Sequence, residues 1–377
     1  METVCPLNKC VGCMACVNIC SKAAIHIEDN IKNVNAIIDT QKCVECGLCK
    51  KVCQILNPVQ LTKQISFCQG WAIDQEIRQN SSSGGYAIAI EKAFIENGGY
   101  VCSCLFQNGE FTFGITNNPE ELVKFAGSKY VKSNSSTIYT PIKELLIKGN
   151  KVLFVGLPCQ VSGLVNFIGA KLSERLYTID LICHGTPSVK LLQKFLLQHG
   201  VDLNSLESIS FRSKKGFYLK GDTKQFSYPG TMDTYLISFL EGAIYTDNCY
   251  ECHYATLERV SDVTLGDSWG SCEDKDILHN GISLALIQTL KGKELLQQAK
   301  IDCKNVDINV AIQNNEQLRH SFIEPDYRNN LLNEITKGAN FDATVKKYLP
   351  KQYMKQKVKA ILLRLGLMKS RGRLSEN

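Results

Sequence analysis

The sequence predicts an α+β protein, built as a ligand-dense N-terminal module, a mixed α/β core and a helical C-terminal tail. Three observations predict it. Two runs of four cysteines recur at one spacing within the first 58 residues. From about residue 86 to residue 299, segments of strand and helix character alternate. The last thirty or so residues are basic and carry apolar side chains at helical spacing.

The cysteine runs are Cys10-x2-Cys13-x2-Cys16-x3-Cys20 and Cys43-x2-Cys46-x2-Cys49-x3-Cys53. Three thiolates at successive three-residue spacing wrap three corners of a 4Fe–4S cube. The fourth lies too far round to close the same cube, and in the two-cluster pattern it crosses to the other one. Cluster one is thus expected on Cys10, Cys13, Cys16 and Cys53, and cluster two on Cys43, Cys46, Cys49 and Cys20. Gly12, Ala15 and Gly47 leave room for backbone N–H groups to approach the sulfurs. Zinc sites would leave each third cysteine surplus. Disulfide frameworks belong to short secreted chains, and no signal peptide is read here. The proline that usually follows each fourth cysteine is replaced by Ser21 and Gln54.

At 377 residues, with 44% apolar and 21% charged side chains, there is material for two or three domains. Eighteen cysteines with no targeting segment lead to the expectation of a reducing cytoplasm. No apolar run reaches the roughly 20 residues of a membrane span. The net charge is +6; from Lys346 onward there are ten Lys/Arg and one Glu, so the tail carries +9 and the remainder −3. Such a distribution does not imply a nucleic-acid-binding surface.

The elements follow in order. Residues 24–27 and 36–38 are short strands flanking the cysteine loops. Residues 86–96 form a helix, preceded by Ser81-Ser-Ser-Gly-Gly85 and stopped at Gly98-Gly99, and residues 100–106 a strand. Residues 141–148 are a helix, 151–156 a buried strand, 160–168 a helix and 176–183 a strand. Residues 187–199 are a helix with Pro near its start and Gly after its end. A strand over 281–290 and a helix over 291–299 continue the pattern, and the chain is mostly helical from about Asn309.

A second group of cysteines comprises Cys159, Cys183, Cys249 and Cys252. Cys159 and Cys183 each follow a strand, so in a parallel sheet both emerge at its carboxyl edge. With the Cys249-x2-Cys252 pair they make four thiolates, enough for a third cluster. The competing reading is that Cys159 and Cys183 are small buried hydrophobes. Cys183-His184 is a poor nucleophile dyad, because neighbours on a strand point to opposite faces. The Ser81–Gly85 turn at a helix start is either a phosphate cradle or an ordinary capped turn. Gly127-Ser-Lys-Tyr130 puts a cation beside an aromatic ring. Asp262 and Asp267 are indistinguishable from turn residues, and neither a Rossmann nor a Walker fingerprint occurs.

Taken in order, these motifs, with Asp180-Leu-Ile-Cys-His-Gly-Thr-Pro-Ser188 and Phe211-Arg-Ser-Lys214, resemble the coenzyme F420 hydrogenase/dehydrogenase beta subunit family. The resemblance is to its bacterial, ferredoxin-domain-containing, polysaccharide-cluster members. It implies a tandem 4Fe–4S domain over 1–58, the two α/β regions of the beta subunit over 59–145 and 146–310, and a helical basic tail over 311–377. It further implies FAD in the core, with Ser82, Ser83, Gly84, Gly85, Lys129 and Tyr130 as flavin neighbours, and favours the third cluster. The expected activity is that of an iron–sulfur flavin oxidoreductase, passing electrons between a ferredoxin-type donor or redox partner and an organic substrate that the sequence does not name. The alternative is a non-catalytic relay subunit of a larger redox or polysaccharide-biosynthesis complex. No residue is singled out as catalytic. Within the tail, Met354, Val358, Ile361, Leu362 and Leu365 against Lys and Arg give the composition of a helix that contacts a partner or a membrane surface. The expected location is accordingly the cytoplasm, with peripheral contact at the inner membrane.

Overall fold

The structure, a computed structural model, describes residues 2–214, 216–222 and 224–368. Residues 369–377 of the basic tail lie outside the described residues. The first unit is a small antiparallel sheet of β1 (Glu2–Thr3), β2 (Ile25–Asp29) and β3 (Val34–Ile38), with β3 in the centre. Against it pack two five-residue helices, Ala15–Ile19 and Leu48–Val52, which are the helical halves of the two cysteine motifs.

An eight-stranded mixed sheet forms the core. In chain order its strands are β4 (Ser66–Ala72), β5 (Tyr100–Gln107), β6 (Glu110–Thr116), β7 (Val152–Gly156) and β8 (Leu176–Leu181), then β11 (Val263–Asp267), β12 (Ser283–Ile287) and β13 (Ile301–Lys304). The intervening β9 (Ile209–Ser213) and β10 (Gly216–Gly221) form a separate two-stranded ribbon. The spatial order is β13-β4-β12-β11-β8-β7-β5-β6, and the four central strands β11, β8, β7 and β5 run parallel. Strands from both expected core regions therefore share one sheet, since β4 pairs with β12 and β13.

β7 and β12 are wholly buried and read in sequence as continuous apolar runs, as strands covered on both faces should. The Tyr86–Glu96 helix buries Tyr86, Ile90 and Phe94 against one face of the sheet, and the Pro158–Ile168 helix covers the opposite face with Val161, Leu164 and Phe167. A third cluster, built on the Val189–Gln198 and Thr234–Leu240 helices, receives the C-terminal helices Arg328–Thr336 and Phe341–Tyr348.

Two expectations are corrected. Residues 260–270, read as turn, contain the central strand β11; Asp262 accepts from Thr178 N (2.8 Å) and Oγ1 (3.0 Å) at its start and Asp267 closes it. The strand expected to end at Cys183 stops at Leu181, so Cys183 lies in the loop beyond.

The ferredoxin-like module is bonded to the core rather than tethered. Ser135 Oγ donates to Cys13 O (2.9 Å), Asn18 Nδ2 donates to Ser135 O (3.0 Å), and Asn166 Nδ2 donates to Asn57 O (2.9 Å). At Gly163 an added Cβ would come within 2.8 Å of Cys13 Sγ, so this helix approaches the first cysteine loop closely.

Candidate functional site

Cys10, Cys13, Cys16 and Cys53 lie within electrostatic reach of one another, and Cys49 feels Cys43 and Cys46. The structure thus groups Cys53 with the first run. Left-handed turns shape the loops, with Gly12 at φ +70° and Gly47 at +72°. They aim backbone N–H groups at sulfur: Gly12 N to Cys10 Sγ, Ala24 N to Cys20 Sγ and Glu45 N to Cys43 Sγ, each 3.4 Å. Such N–H···S bonds stabilise negative charge on a ligand sulfur. Among the described residues no three His, Cys, Asp or Glu side chains converge on a site for a single metal ion.

Cys159 and Cys183 follow the carboxyl ends of the adjacent parallel strands β7 and β8, and Cys249 and Cys252 come to meet them. All four sense one another's charge. Burial pushes the Cys183 thiol up to about 12 and the Cys159 and Cys252 thiols upward, so metal coordination is what would ionise them. Three polar neighbours approach Cys249 Sγ: Thr186 N (3.4 Å), Thr246 Oγ1 (3.5 Å) and Asn248 Nδ2 (3.7 Å). Two buried arginines hold the loop that carries the pair. Arg259 joins Asp180 (3.0 Å) and Leu181 O (2.9 Å) at the end of β8 to Tyr254 O. Arg328 joins Asp247 (2.7 Å) to Glu324 (2.9 Å) and lies over the Tyr250 ring. Neither arginine carries a sequence signal; each is an ordinary charge until the fold buries it.

Beside this cysteine set a cavity of about 280 Å³ opens at the carboxyl end of the parallel strands, near the lower bound of roughly 300 Å³ for small-molecule sites. Ser82, Ser83, Gly85, Lys129 and Tyr130 all line it, as do Cys183 and His184. Gly84, between Ser83 and Gly85, does not line it, and an added Cβ there would stand 2.4 Å from Gly70 O and 2.6 Å from Ser283 N. The Tyr86–Glu96 helix begins after Gly85 (φ +90°) with no side-chain cap, leaving its first N–H groups available to an anion. Ser82 Oγ accepts from Ser128 N (2.9 Å), which ties this turn to the 127–130 segment. Lys214 donates to Asn280 O (2.8 Å) and to Ser83 O; burial, then the cations Arg212 and Arg78, bring it down to about 7.

Lys129 is half-buried in the cavity wall and donates to Phe125 O (2.7 Å) and Ala126 O (3.0 Å); desolvation lowers its pKa. The Tyr130 ring stacks on Phe239 at 4.5 Å. Arg212 forms a two-pronged pair with Asp267 (2.9 and 2.7 Å) in the cavity wall. Glu91, 1% exposed, has one carboxyl oxygen without a hydrogen-bond partner, and burial pushes its pKa up to about 8. The sequence reading missed Glu91 and treated Asp267 as a turn residue. An acid whose helical neighbours three and four residues away (Ala87, Ile88, Phe94 and Ile95) are all apolar was the available signal for Glu91, and Arg212 and Lys214 entered only through their motif.

Two groups of cysteines, one with N–H donors at its sulfurs and one beside a cavity at the carboxyl end of a parallel sheet, are the donor set of an iron–sulfur electron-transfer protein. Residues 149–308 match the family model that describes the C terminus of the coenzyme F420 hydrogenase/dehydrogenase beta subunit, and residues 9–55 match that of a 4Fe-4S dicluster domain. Over residues 149–308 the chain is thus similar to the coenzyme F420 hydrogenase/dehydrogenase beta subunit family. It is similar to the coenzyme F420-dependent sulfite reductase of Methanocaldococcus jannaschii, at 27% identity over 314 residues, 70% of this chain and 46% of that protein. The match thus spans under half of the relative's length. It is also similar to a chain of the F420-reducing NiFe hydrogenase complex from Methanosarcina barkeri, with 19% identity, a TM-score of 0.49 and coverage of 74% of this chain and 95% of that one.

Proposed function

We propose that this chain is an iron–sulfur flavoprotein oxidoreductase that binds FAD in the cavity and delivers electrons from a ferredoxin-type partner to an organic substrate. One observation carries the reading. The loop from Cys183 to Thr186 is wall to the cavity on one side and neighbour to Cys249 Sγ on the other, so a bound ring and a third cluster would share it.

The residues present fit both groups. Cys159, Cys183, Cys249 and Cys252 supply four sulfurs for a third cluster, in addition to the eight in the N-terminal module. The uncapped helix start beyond Gly85 and the nearby Lys214 and Arg212 suit a pyrophosphate, while Tyr130 offers an aromatic wall to a ring system. When bound, a flavin couples one-electron to two-electron chemistry. Lys129 places a half-buried positive charge against that ring site, favouring an anionic reduced form, and Glu91 holds a proton at the cavity wall. The same reading puts the protein in the cytoplasm.

The test is flavin stoichiometry after anaerobic cluster reconstitution, with FAD and the deazaflavin coenzyme titrated separately at micromolar concentration. FAD uptake near one per chain supports the reading. Uptake of the deazaflavin alone assigns the cavity to the coenzyme named for its relatives. Full clusters with neither bound turn the chain into a relay subunit of a larger redox or polysaccharide-biosynthesis complex.

A further inference from the structure

Among the described residues no helix is long and apolar enough to cross a membrane. The Pro350–Arg364 helix is nonetheless built to lie on one. One face holds it to the body: Gln356 Oε1 accepts from Met232 N (3.1 Å), Gln352 Nε2 donates to Glu241 (2.9 Å), and Tyr353 packs on the core. The other face is a stripe of uncovered hydrophobes. Met354, Val358, Ile361 and Leu365 recur at intervals of four, three and four, and each is between 48% and 65% exposed. At about 100° per residue these four lie on a single narrow line along the helix.

Cations border that line on both sides. On the same helical wheel Lys351 and Lys355 fall on one flank and Lys357 and Arg364 on the other, and the helix contains no Asp or Glu. An apolar line sunk into the acyl boundary, with Lys and Arg reaching sideways to headgroups, is the geometry of an interfacial helix. A second copy of this chain is a poorer cover, because pairing two such stripes would bring eight cations together without a counter-charge. We propose that this helix docks the protein flat on an anionic lipid bilayer, with Met354, Val358, Ile361 and Leu365 buried among the lipids.

The helix is anchored through Gln356 and Tyr353, so point variants on the outer face are cleaner probes than truncation. Full-length reconstituted protein is sedimented with vesicles of phosphatidylcholine, with and without phosphatidylglycerol, at low and high salt. The expected result is binding to the anionic vesicles only, lost at high salt. Lys355→Glu with Lys357→Glu should weaken it by about thirtyfold or more, each lost cation counting roughly fivefold. Val358→Asp with Ile361→Asp should abolish it while leaving the melting temperature unchanged. Failure of the wild-type protein to bind anionic vesicles, or undiminished binding by the Val358→Asp, Ile361→Asp protein, overturns the proposal. A concentration-dependent dimer that these same substitutions dissolve also overturns it, in favour of a second copy.

Discussion

The side-chain amide of Gln54 donates to the carbonyl oxygen of Cys159, joining the residue after the last ferredoxin cysteine to a member of the second cysteine group. Its own oxygen accepts from Tyr254 Oη, and Tyr254 lies two residues past Cys252. Gln54 is 3% exposed. Where a proline would only turn the chain, this amide fixes one cysteine set against the other.

Gln54→Leu should therefore loosen that junction. Removing a buried amide bonded at both ends takes the Gln54 oxygen from the Tyr254 hydroxyl and leaves the Cys159 carbonyl only its partner within the helix, a cost of about 1–3 kcal/mol. The variant should still carry the N-terminal clusters, while magnetic coupling between them and the third cluster, read by electron paramagnetic resonance, weakens. An unchanged coupling would show that Gln54 serves packing alone.

Lys132 lies between the same two groups. Its ammonium donates to Val11 O (3.1 Å) in the first cysteine loop, and its charge reaches Cys10, Cys159 and Cys183. Reduction adds negative charge to a cluster, so this cation favours the reduced state. Lys132→Met should lower the midpoint potentials of nearby clusters by on the order of 50 mV, roughly 1 kcal/mol at an effective dielectric near 20 or above. Redox titration checks the sign as well as the size.

Cys249→Ser removes a thiolate that three polar neighbours now surround. The expected loss is about four irons per chain, with the spectroscopic signals of the Cys10–Cys53 module retained. Retention of all iron would show that Cys249 is not a ligand.

Gly84→Val acts on the fold before it acts on any cofactor. Its Cβ would meet Gly70 O and Ser283 N on the interior strands β4 and β12. Backbone cannot retreat as a flexible side chain can, so the variant should lose about 2–4 kcal/mol and melt earlier with or without added FAD. A normal melting temperature with selective loss of flavin would instead locate the phosphate at Gly84.

Glu91 gives the protein a pH dependence of known sign. The folded state keeps this proton up to about pH 8, whereas the unfolded chain releases it above its ordinary value of 4.5. Stability is thus undiminished below 4.5, falls as pH rises through that window, and levels off above 8, with a slope of at most about 1.4 kcal/mol per pH unit. Glu91→Gln should flatten this fall, so its melting temperature pulls ahead of the wild type as pH climbs. Parallel curves would remove Glu91 from the account.

Much of this was legible in the residues. The 86–96 helix occupies those residues in the structure, and the apolar run of β7 announced a strand buried on both faces. The repeated cysteine spacing predicts Cys53 beside Cys10, and in the structure the two are within electrostatic reach of each other. What escaped depends on distant partners. β4 and β6 carry Gly70 and Gly114 in their interiors, where glycine weakens a strand signal, and pairing with β12 and β5 makes them strands. Asp267 becomes more than a turn acid only when β9 brings Arg212 to it.

The placement of β4 imposes an order on assembly. Its partners β12 and β13 are synthesised more than 200 residues later, so the large sheet stays open at the ribosome until the chain is nearly finished. The eight N-terminal thiols, by contrast, need only their own short segment, and can take up iron and sulfide while the remainder is still emerging. Cys159 and Cys183 wait for Cys249 and Cys252. On the proposed third cluster, maturation would run from the periphery inward, and a shortage of iron would leave chains whose outer clusters are loaded while the cysteine group beside the cavity is empty.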